Sequence, residues 1–318
     1  MSKKIVLNTG WTFTKEGRSK SVTLPHTWNA VDGQDGGNDY YRGTCTYTTV
    51  LPQIQLPEGG RAVLQFDGAA MTAVVCLNGK QLAEHKGGYS AFRVDITDAL
   101  EDTNTLTVLV DNSDNDTVYP QKADFTFYGG IYRDVTLHIL PAVHFAMPEN
   151  GAVPVKVTPV VTDLASHLCE VTVEAFVEGA EEVHFALDGQ QVSAPVEKGC
   201  AKAVFTLENA RLWDGLDDPY LYTVTASLAS GETQTVRFGC RKFEIDPQRG
   251  FLLNGREYPL RGVSRHQDRK GVGIAIDQAM MEEDMALILE IGANTIRLAH
   301  YQHAQAFYDL CDEKGLVI

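Results

Sequence analysis

Three histidines near the end of the chain raise a question of chemistry first. His266, His300 and His303 supply the number and type of donors that hold a zinc ion with one open position, and His300-Tyr-Gln-His303 sets two of them three residues apart. A fixed pair at that spacing converges on one ion only from a single helix. Here His300 falls at the end of an apolar strand pattern and His303 where a helical pattern begins, which argues against a metal. The more informative regularity is positional. His266, Arg297 and His300 all stand at the carboxyl ends of strand-like runs, the end at which parallel β/α barrels assemble their sites. Asp124, Asn38 and Asp39 lie far upstream in Gly- and aromatic-rich stretches, and polar loops of that kind serve most often as plain connections.

The elements that must carry these residues are legible from periodicity. From Asp246 onward the order is a turn at Asn254-Gly255, an apolar run from Tyr258 to His266, and a helix from about Asp277 to Ile291. A strand from Asn294 to His300, a helix from about Ala304 to Lys314 and the start of a third strand at Leu316-Val-Ile318 follow. In the first helix Met281, Met285 and Ile288 recur at i, i+4 and i+7, and Gly292 stands where a C-terminal cap is expected. Two strand-helix units and one further strand are the beginning of a barrel, and parallel strands bury both faces only in an extended or closed sheet. The expectation is therefore a piece of a longer chain, with apolar surface open at Val263, Ile296 and Leu316 to Ile318.

Everything before residue 246 reads as β. Arg61–Phe66 ends at Asp67-Gly68 and Ala73–Leu77 ends at Asn78-Gly79, the strongest short hairpin signal, while Leu106, Val108 and Val110 share one face with Thr105 and Thr107 on the other. Pro141 and Pro148 bracket a linker. A second β pattern follows, with strict alternation from Tyr222 to Leu228 and a length that suits an immunoglobulin-like sandwich. The fold is thus expected to be mainly β: a jelly-roll-like sandwich over residues 1–141, an immunoglobulin-like sandwich over 142–245, and the truncated start of a (β/α)8 TIM barrel over 246–318. Trp11, Phe13, Trp28 and Trp213 are expected in cores and interfaces, since apolar payload is the common use of large aromatics.

Composition narrows the function. The 318 residues are 44 % apolar, enough for two or three domains with cores of their own, and the formal net charge of −15 excludes a phosphate-neutralising nucleic-acid binder. Ile5-Val6-Leu7 is too short for the core of a signal peptide and no run approaches the roughly 20 apolar residues of a membrane span, so a cytoplasmic chain with no membrane partner is expected. The six cysteines form no C-x-x-C pair and read mostly as ordinary buried thiols.

Three ordered sets of motifs then carry a resemblance. The first is Asp124-Phe-Thr-Phe-Tyr-Gly-Gly-Ile-Tyr-Arg-Asp-Val135, with Leu-Asn-Gly-Lys80 and Gly-Gly-Tyr-Ser90 ahead of it. The second is Leu212-Trp213 followed by Asp218-Pro-Tyr-Leu-Tyr222. The third runs from Arg241-Lys-Phe-Glu-Ile245 and Phe251-Leu-Leu-Asn-Gly255 through Arg261-Gly-Val-Ser-Arg-His266 and Asn294-Thr-Ile-Arg-Leu-Ala-His-Tyr301 to Gly315-Leu-Val-Ile318. In this order they resemble the front half of glycoside hydrolase family 2, the β-galactosidases, β-glucuronidases and β-mannosidases. Leu298 and Gln302 depart from the family pattern at the rim of the expected pocket, where sugar preference is set.

The resemblance implies a retaining exo-glycosidase acting on terminal β-glycosides, with β-galactosides as the expected substrate. Such an enzyme needs two carboxyl groups about 5–5.5 Å apart, one ionised and one held protonated. The family takes them from later barrel strands, so no catalytic residue is expected in this chain, both glutamates falling beyond Ile318. Glu282, Glu283, Glu290 and Glu313 fall on predicted helices, on the outer ring. The resemblance casts Arg297 as the partner of the nucleophile, keeping it ionised and aligned, and His300 and His266 as ligands of sugar hydroxyls. Arg261 is implied as a supporting residue. Asp124 is either a sugar ligand, and in some members a ligand of a monovalent cation, or a turn residue capping local backbone, and Asn38 and Asp39 approach the site or simply connect strands. No cofactor is required, with Na or Mg ions conceivable in the full-length enzyme, and a homo-oligomer is compatible. A reading from another class is a non-catalytic carbohydrate-binding or scaffolding protein built on the two sandwiches.

Overall fold

The computed structural model describes residues 1–32, 40–119, 122–123 and 125–318. The first 140 residues pack two antiparallel sheets face to face. A four-stranded sheet runs in the order Lys3–Val6, Val135–Leu140, Arg61–Phe66, Phe92–Asp95, and a six-stranded sheet in the order Arg18–Val22, Trp11–Lys15, Thr44–Val50, Thr105–Asp111, Thr72–Leu77, Lys80–Lys86. Sequence neighbours are rarely sheet neighbours, so connections cross from sheet to sheet as in a jelly roll. Alternation decides the core: Leu106, Val108 and Val110 turn inward with Trp11, Phe13, Tyr47, Leu64 and Phe66. The Asn78-Gly79 turn joins its two strands with both residues at positive φ, 52° and 80°, as a two-residue hairpin of the primed type requires.

The second sandwich sets the strands Val155–Asp163, Leu168–Glu178 and Cys200–Leu207, with the short His144–Phe145 at one edge, against Gln190–Pro195, Glu182–Leu187, Tyr222–Ser227 and Thr233–Phe238. Val171, Val173, Ala175, Phe185, Phe205 and Val224 fill the space between the sheets.

After a small antiparallel sheet of Phe243–Asp246, Gly250–Leu253 and Arg256–Glu257, the topology changes to parallel. The first barrel strand, Gly262–Arg265, pairs in parallel with the second, Thr295–Leu298, and Val317 adds a parallel bridge to Thr295. Helix α1, Gln278–Glu290, connects the first two, and α2, Gln305–Lys314, leads to the third. Asp277 caps α1 by accepting from the Met280 N–H at 2.9 Å, and Gly292 follows it at φ 76°. The first strand is shorter than its apolar run. Pro259 has no N–H for a ladder, and the Asn294 side chain takes over there, donating to Pro259 O at 2.9 Å and accepting from Arg261 N at 2.7 Å. Gly262 is required by proximity, because a Cβ there would stand 1.9 Å from Thr295 O.

The expected open apolar face is corrected by the same strands. Ile296 and Leu316 are buried beneath α1 and α2 with Met281, Met285, Ile288 and Phe307, and Val263 packs against that cluster. Residues alternate across a strand, so the opposite face carries Ser264 and Arg297. Only Ile318, 54 % exposed, remains an open large apolar side chain of that set.

Trp213 joins the second sandwich to the barrel segment. It is buried with Leu253 and Tyr258, its Nε1–H donates to Asp312 O at 2.8 Å, and Arg237 pairs with Glu313 at 2.6 Å beside it. Trp11, Phe13 and Trp28 are buried in the first core, as their apolar payload leads one to expect. Replacing Trp213 by Ala should cost about 3–5 kcal/mol, through lost burial and an orphaned helix-end carbonyl, read as a lower urea midpoint. An unchanged midpoint would remove Trp213 from the joint.

Candidate functional site

Arg297 and His300 meet at the carboxyl end of the second barrel strand. The Arg297 Nη2–H donates to His300 Nδ1 at 2.8 Å. An arginine only donates, so Nδ1 is the acceptor and the imidazole carries its hydrogen on Nε2. Both side chains are solvent-exposed. His266, just past the first strand, faces His300 edge to face, with ring centroids 5.2 Å apart at 80°. The structure therefore brings together three of the residues singled out from the sequence.

Arg261 is not among them. It precedes Gly262, at the amino end of the first strand, and five residues of extended chain put it on the order of 16 Å from His266. Its observed role is local, its backbone exchanging hydrogen bonds with Asn294. Asp124, Asn38 and Asp39 lie outside the described residues. Of the acidic residues set aside earlier, Glu282, Glu283 and Glu290 are on α1 and Glu313 is on α2; Glu283 pairs with Arg269 at 2.6 Å.

The first sandwich supplies a wall that sequence reasoning did not assign. Phe125 lies 5.5 Å from the His266 ring, 5.7 Å from His300 and 5.4 Å from Tyr301. Tyr301 in turn stacks on Tyr89 at 4.1 Å and 8°. The segment after Phe125 is fixed from below by buried amides. Asn112 donates to Phe127 O at 2.8 Å and to Asn29 Oδ1 at 3.1 Å, and Asn29 Oδ1 also accepts from Gly129 N at 2.8 Å. Gly129 admits no side chain, since a Cβ would fall 2.0 Å from the Trp28 ring. Farther along, the Tyr128 hydroxyl reaches Asp268 at 3.0 Å. Arg133 closes the joint: Nη1 donates to Asp67 O and Tyr89 O at 3.1 Å each, and Nη2 donates to Gln302 O at 2.8 Å and Gln267 Oε1 at 3.4 Å. Both Tyr89 and Arg133 sit inside the motifs read from the sequence, yet nothing local marks their partners.

Behind the strand ends is a buried polar cluster, also unassigned from sequence. Arg265 is 6 % exposed; its Nε and Nη2 donate to Asp284 Oδ2 at 2.9 and 2.7 Å, Nη1 donates to His303 Nδ1 at 3.0 Å, and the guanidinium lies 3.9 Å over the Phe307 ring. His303 therefore serves the helix side of the sheet, while His266 and His300 stand beside Phe125. Burial first, then the Arg265 charge, pushes the His303 pKa down to about 3.

Taken together, two β-sandwiches leading into parallel β/α units, with an Arg–His pair at the strand ends, have the layout of a glycoside hydrolase. The chain belongs to glycosyl hydrolase family 2. Three models of that family match it: the sugar binding domain over residues 20–141, the central family 2 domain over 136–241, and the TIM barrel domain over 244–318. A β-glucuronidase of Bacteroides fragilis is 37 % identical, the alignment covering 98 % of this chain and 48 % of that protein. A β-galactosidase of Thermoanaerobacter pseudethanolicus is 28 % identical over 95 % of this chain and 42 % of its own length. Among solved structures, an FMN-binding β-glucuronidase from Facaelibacterium prausnitzii L2-6 superposes with a TM-score of 0.92 at 41 % identity, covering 99 % of this chain and 51 % of that one. The chain spans about half the length of the curated relatives it matches.

Two predictions follow from the electrostatics. Removing Asp284 as Asp284→Ala leaves the Arg265 charge buried without its carboxylate, which should cost about 3 kcal/mol by urea denaturation; a loss under 1 kcal/mol would mean that solvent replaces the pair. His303, with a pKa near 3, and His26 and His138, each lowered to about 4 chiefly by burial, stay neutral when folded but protonate near 6.5 when unfolded. The unfolded chain then binds more protons, so the stability they contribute is complete above pH 6.5 and declines as pH falls toward 4. Burial raises Asp67 and Asp312, which opposes this only near the carboxylate range. Urea midpoints should fall from pH 7.5 to 4.5, and a flat profile would contradict neutral buried imidazoles.

Proposed function

We propose that this chain is the amino-terminal portion of a retaining exo-β-glycosidase and that its barrel end holds the terminal sugar. The observation carrying this reading is the Arg297–His300 hydrogen bond beside His266, roofed by Phe125. With its Nδ1 occupied, His300 offers Nε2–H to a sugar hydroxyl, and the remaining donors of Arg297, which have no side-chain partner among the described residues, align a carboxylate and keep it ionised. The aromatic face of Phe125 supplies an apolar edge, as carbohydrate and drug-sized pockets commonly have. The nucleophile and the acid/base are assigned to polypeptide after Ile318, because Glu282, Glu283, Glu290 and Glu313 lie on α1 and α2 in the helix layer and Glu257 pairs with Arg249 in the small antiparallel sheet. On this reading the carboxylate attacks the anomeric carbon, the acid protonates the departing oxygen, and hydrogen bonds from His300 and His266 strengthen as charge develops on the ring.

For the sugar, glucuronic acid is the reading best supported, through the β-glucuronidases at 37 and 41 % identity. A β-galactoside, the substrate expected from the sequence motifs, is the second reading, supported by β-galactosidases at 28 and 29 % identity. Leu298 and Gln302 stand where the family pattern differs, close to the site.

The full-length protein should be assayed on nitrophenyl β-glucuronide, β-galactoside and β-mannoside. The expected result is at least a ~10-fold preference in kcat/KM for the glucuronide, and no turnover by residues 1–318 alone. Arg297→Ala should lower kcat about 10²–10³-fold with an unchanged urea midpoint. Preference for the galactoside would select the second reading, and hydrolysis by the 318-residue chain would overturn the assignment of the carboxylates.

A further inference from the structure

Two thiols within the second sandwich lie within reach of a bond to each other. Cys169 is in the strand Leu168–Glu178 of one sheet, and Cys240 comes two residues after the strand Thr233–Phe238 of the facing sheet. Both are fully buried, and their Sγ atoms are 3.2 Å apart. A disulfide needs about 2.05 Å, so side-chain rotation of roughly 1 Å closes the gap. The backbone on either side is already held. Cys169 is laddered between Val161 and Leu207, and Cys240 O accepts from Trp213 N at 2.8 Å. Among the described residues no other pair of cysteine sulfurs is in hydrogen-bonding contact; Cys45, Cys76, Cys200 and Cys311 stand singly.

We propose that Cys169 and Cys240 are a redox modification site, closing to a reversible disulfide that staples the two sheets when the protein meets a small peroxide. Full burial sets the class of oxidant, since a mixed disulfide with glutathione has no room here and hydrogen peroxide is close to water in size. The Cys169 sulfur, as thiolate, attacks one peroxide oxygen; the O–O bond breaks, leaving a sulfenic acid and a hydroxide that takes the released proton to become water. The Cys240 sulfur then gives up its proton and attacks the sulfenic sulfur; the S–S bond forms, the S–O bond breaks, and a second water leaves. Two thiols lose two electrons, and one peroxide gains them. Cys169 is placed first because the hydrogen bond between the thiols lowers its pKa, while that bond and burial raise Cys240.

The consequence is mechanical. The cross-link closes a span of 71 residues of chain and constrains the unfolded state. It also sits one hydrogen bond from Trp213, whose indole holds the end of α2, so the staple reinforces the joint between sandwich and barrel without touching Arg297 or His300.

The test is to treat the reduced full chain with a few equivalents of hydrogen peroxide, alkylate it in denaturant, digest it without reductant and map the peptides. The expected result is a peptide pair joined through Cys169 and Cys240, a loss of two free thiols and a rise of about 5 °C in the thermal midpoint, all reversed by dithiothreitol. In Cys240→Ser the linked pair should vanish and Cys169 should instead label with dimedone, added together with the denaturant, as a trapped sulfenic acid. Should that variant fail to fold, the peptide map of the unsubstituted protein still decides. If both thiols remain alkylatable after the partly exposed Cys76 and Cys200 have been oxidised, or if the bridge maps to another pair, the proposal is overturned.

Discussion

The guanidinium of Arg133 is the contact on which the geometry of the barrel mouth depends. It donates to two carbonyls of its own sandwich and to Gln302 O and Gln267 Oε1 of the barrel segment, so one planar group sets the distance between two separately folded units. The Tyr89–Tyr301 stack lies alongside and supplies the apolar part of the joint. Gln267, buried between them, also accepts from the Ala304 N–H at 2.6 Å and thus ties the start of α2 to the same clamp. The loop that carries His300 is in this way fixed at its far side by the first sandwich. That hold keeps His300 and Tyr301 beside Phe125, whose own segment is fixed by the Asn112 and Asn29 amides.

A strand arranges chemistry by alternation, and the second barrel strand shows how economically. Ile296 and Leu298 are committed to the helix layer, which leaves Arg297 for the other face. On the first strand Val263 and Arg265 take the helix side, and a buried arginine there is tolerated because Asp284, His303 and the Phe307 ring satisfy its charge and its donors. Two arginines one register step apart, and so on opposite faces of the pair, therefore do different work. Arg265 anchors helices to strands, and Arg297 is left facing outward with His300 as its one side-chain partner among the described residues.

The expectation of an exposed apolar face at Ile296 and Leu316 was mistaken for a simple reason: α1 and α2 fold back over the same strands and cover the face those residues occupy. The β character of the first domain, the sandwich pattern of the second and the strand-helix order of the barrel start, by contrast, were all readable in advance. Each rests on short-range signals such as Asn78-Gly79, the Leu106 to Val110 alternation and the heptad-like spacing of Met281, Met285 and Ile288. The grouping of His266, Arg297 and His300 was readable too, because the carboxyl end of a strand is fixed by chain direction alone. Arg261 failed the same criterion, lying at the amino end of its strand.

What the sequence determined by itself, then, is local: which runs are strands or helices, where they turn, and which end of each strand a residue occupies. The tertiary structure alone decided the partners. Arg133 meets Gln302 across 169 residues, Cys169 meets Cys240 across 71, and Phe125 reaches His300 from another domain. No periodicity encodes such meetings, because they follow from how whole faces pack and from buried amides finding partners once water is excluded, Asn112 as a donor and Gln267 as an acceptor.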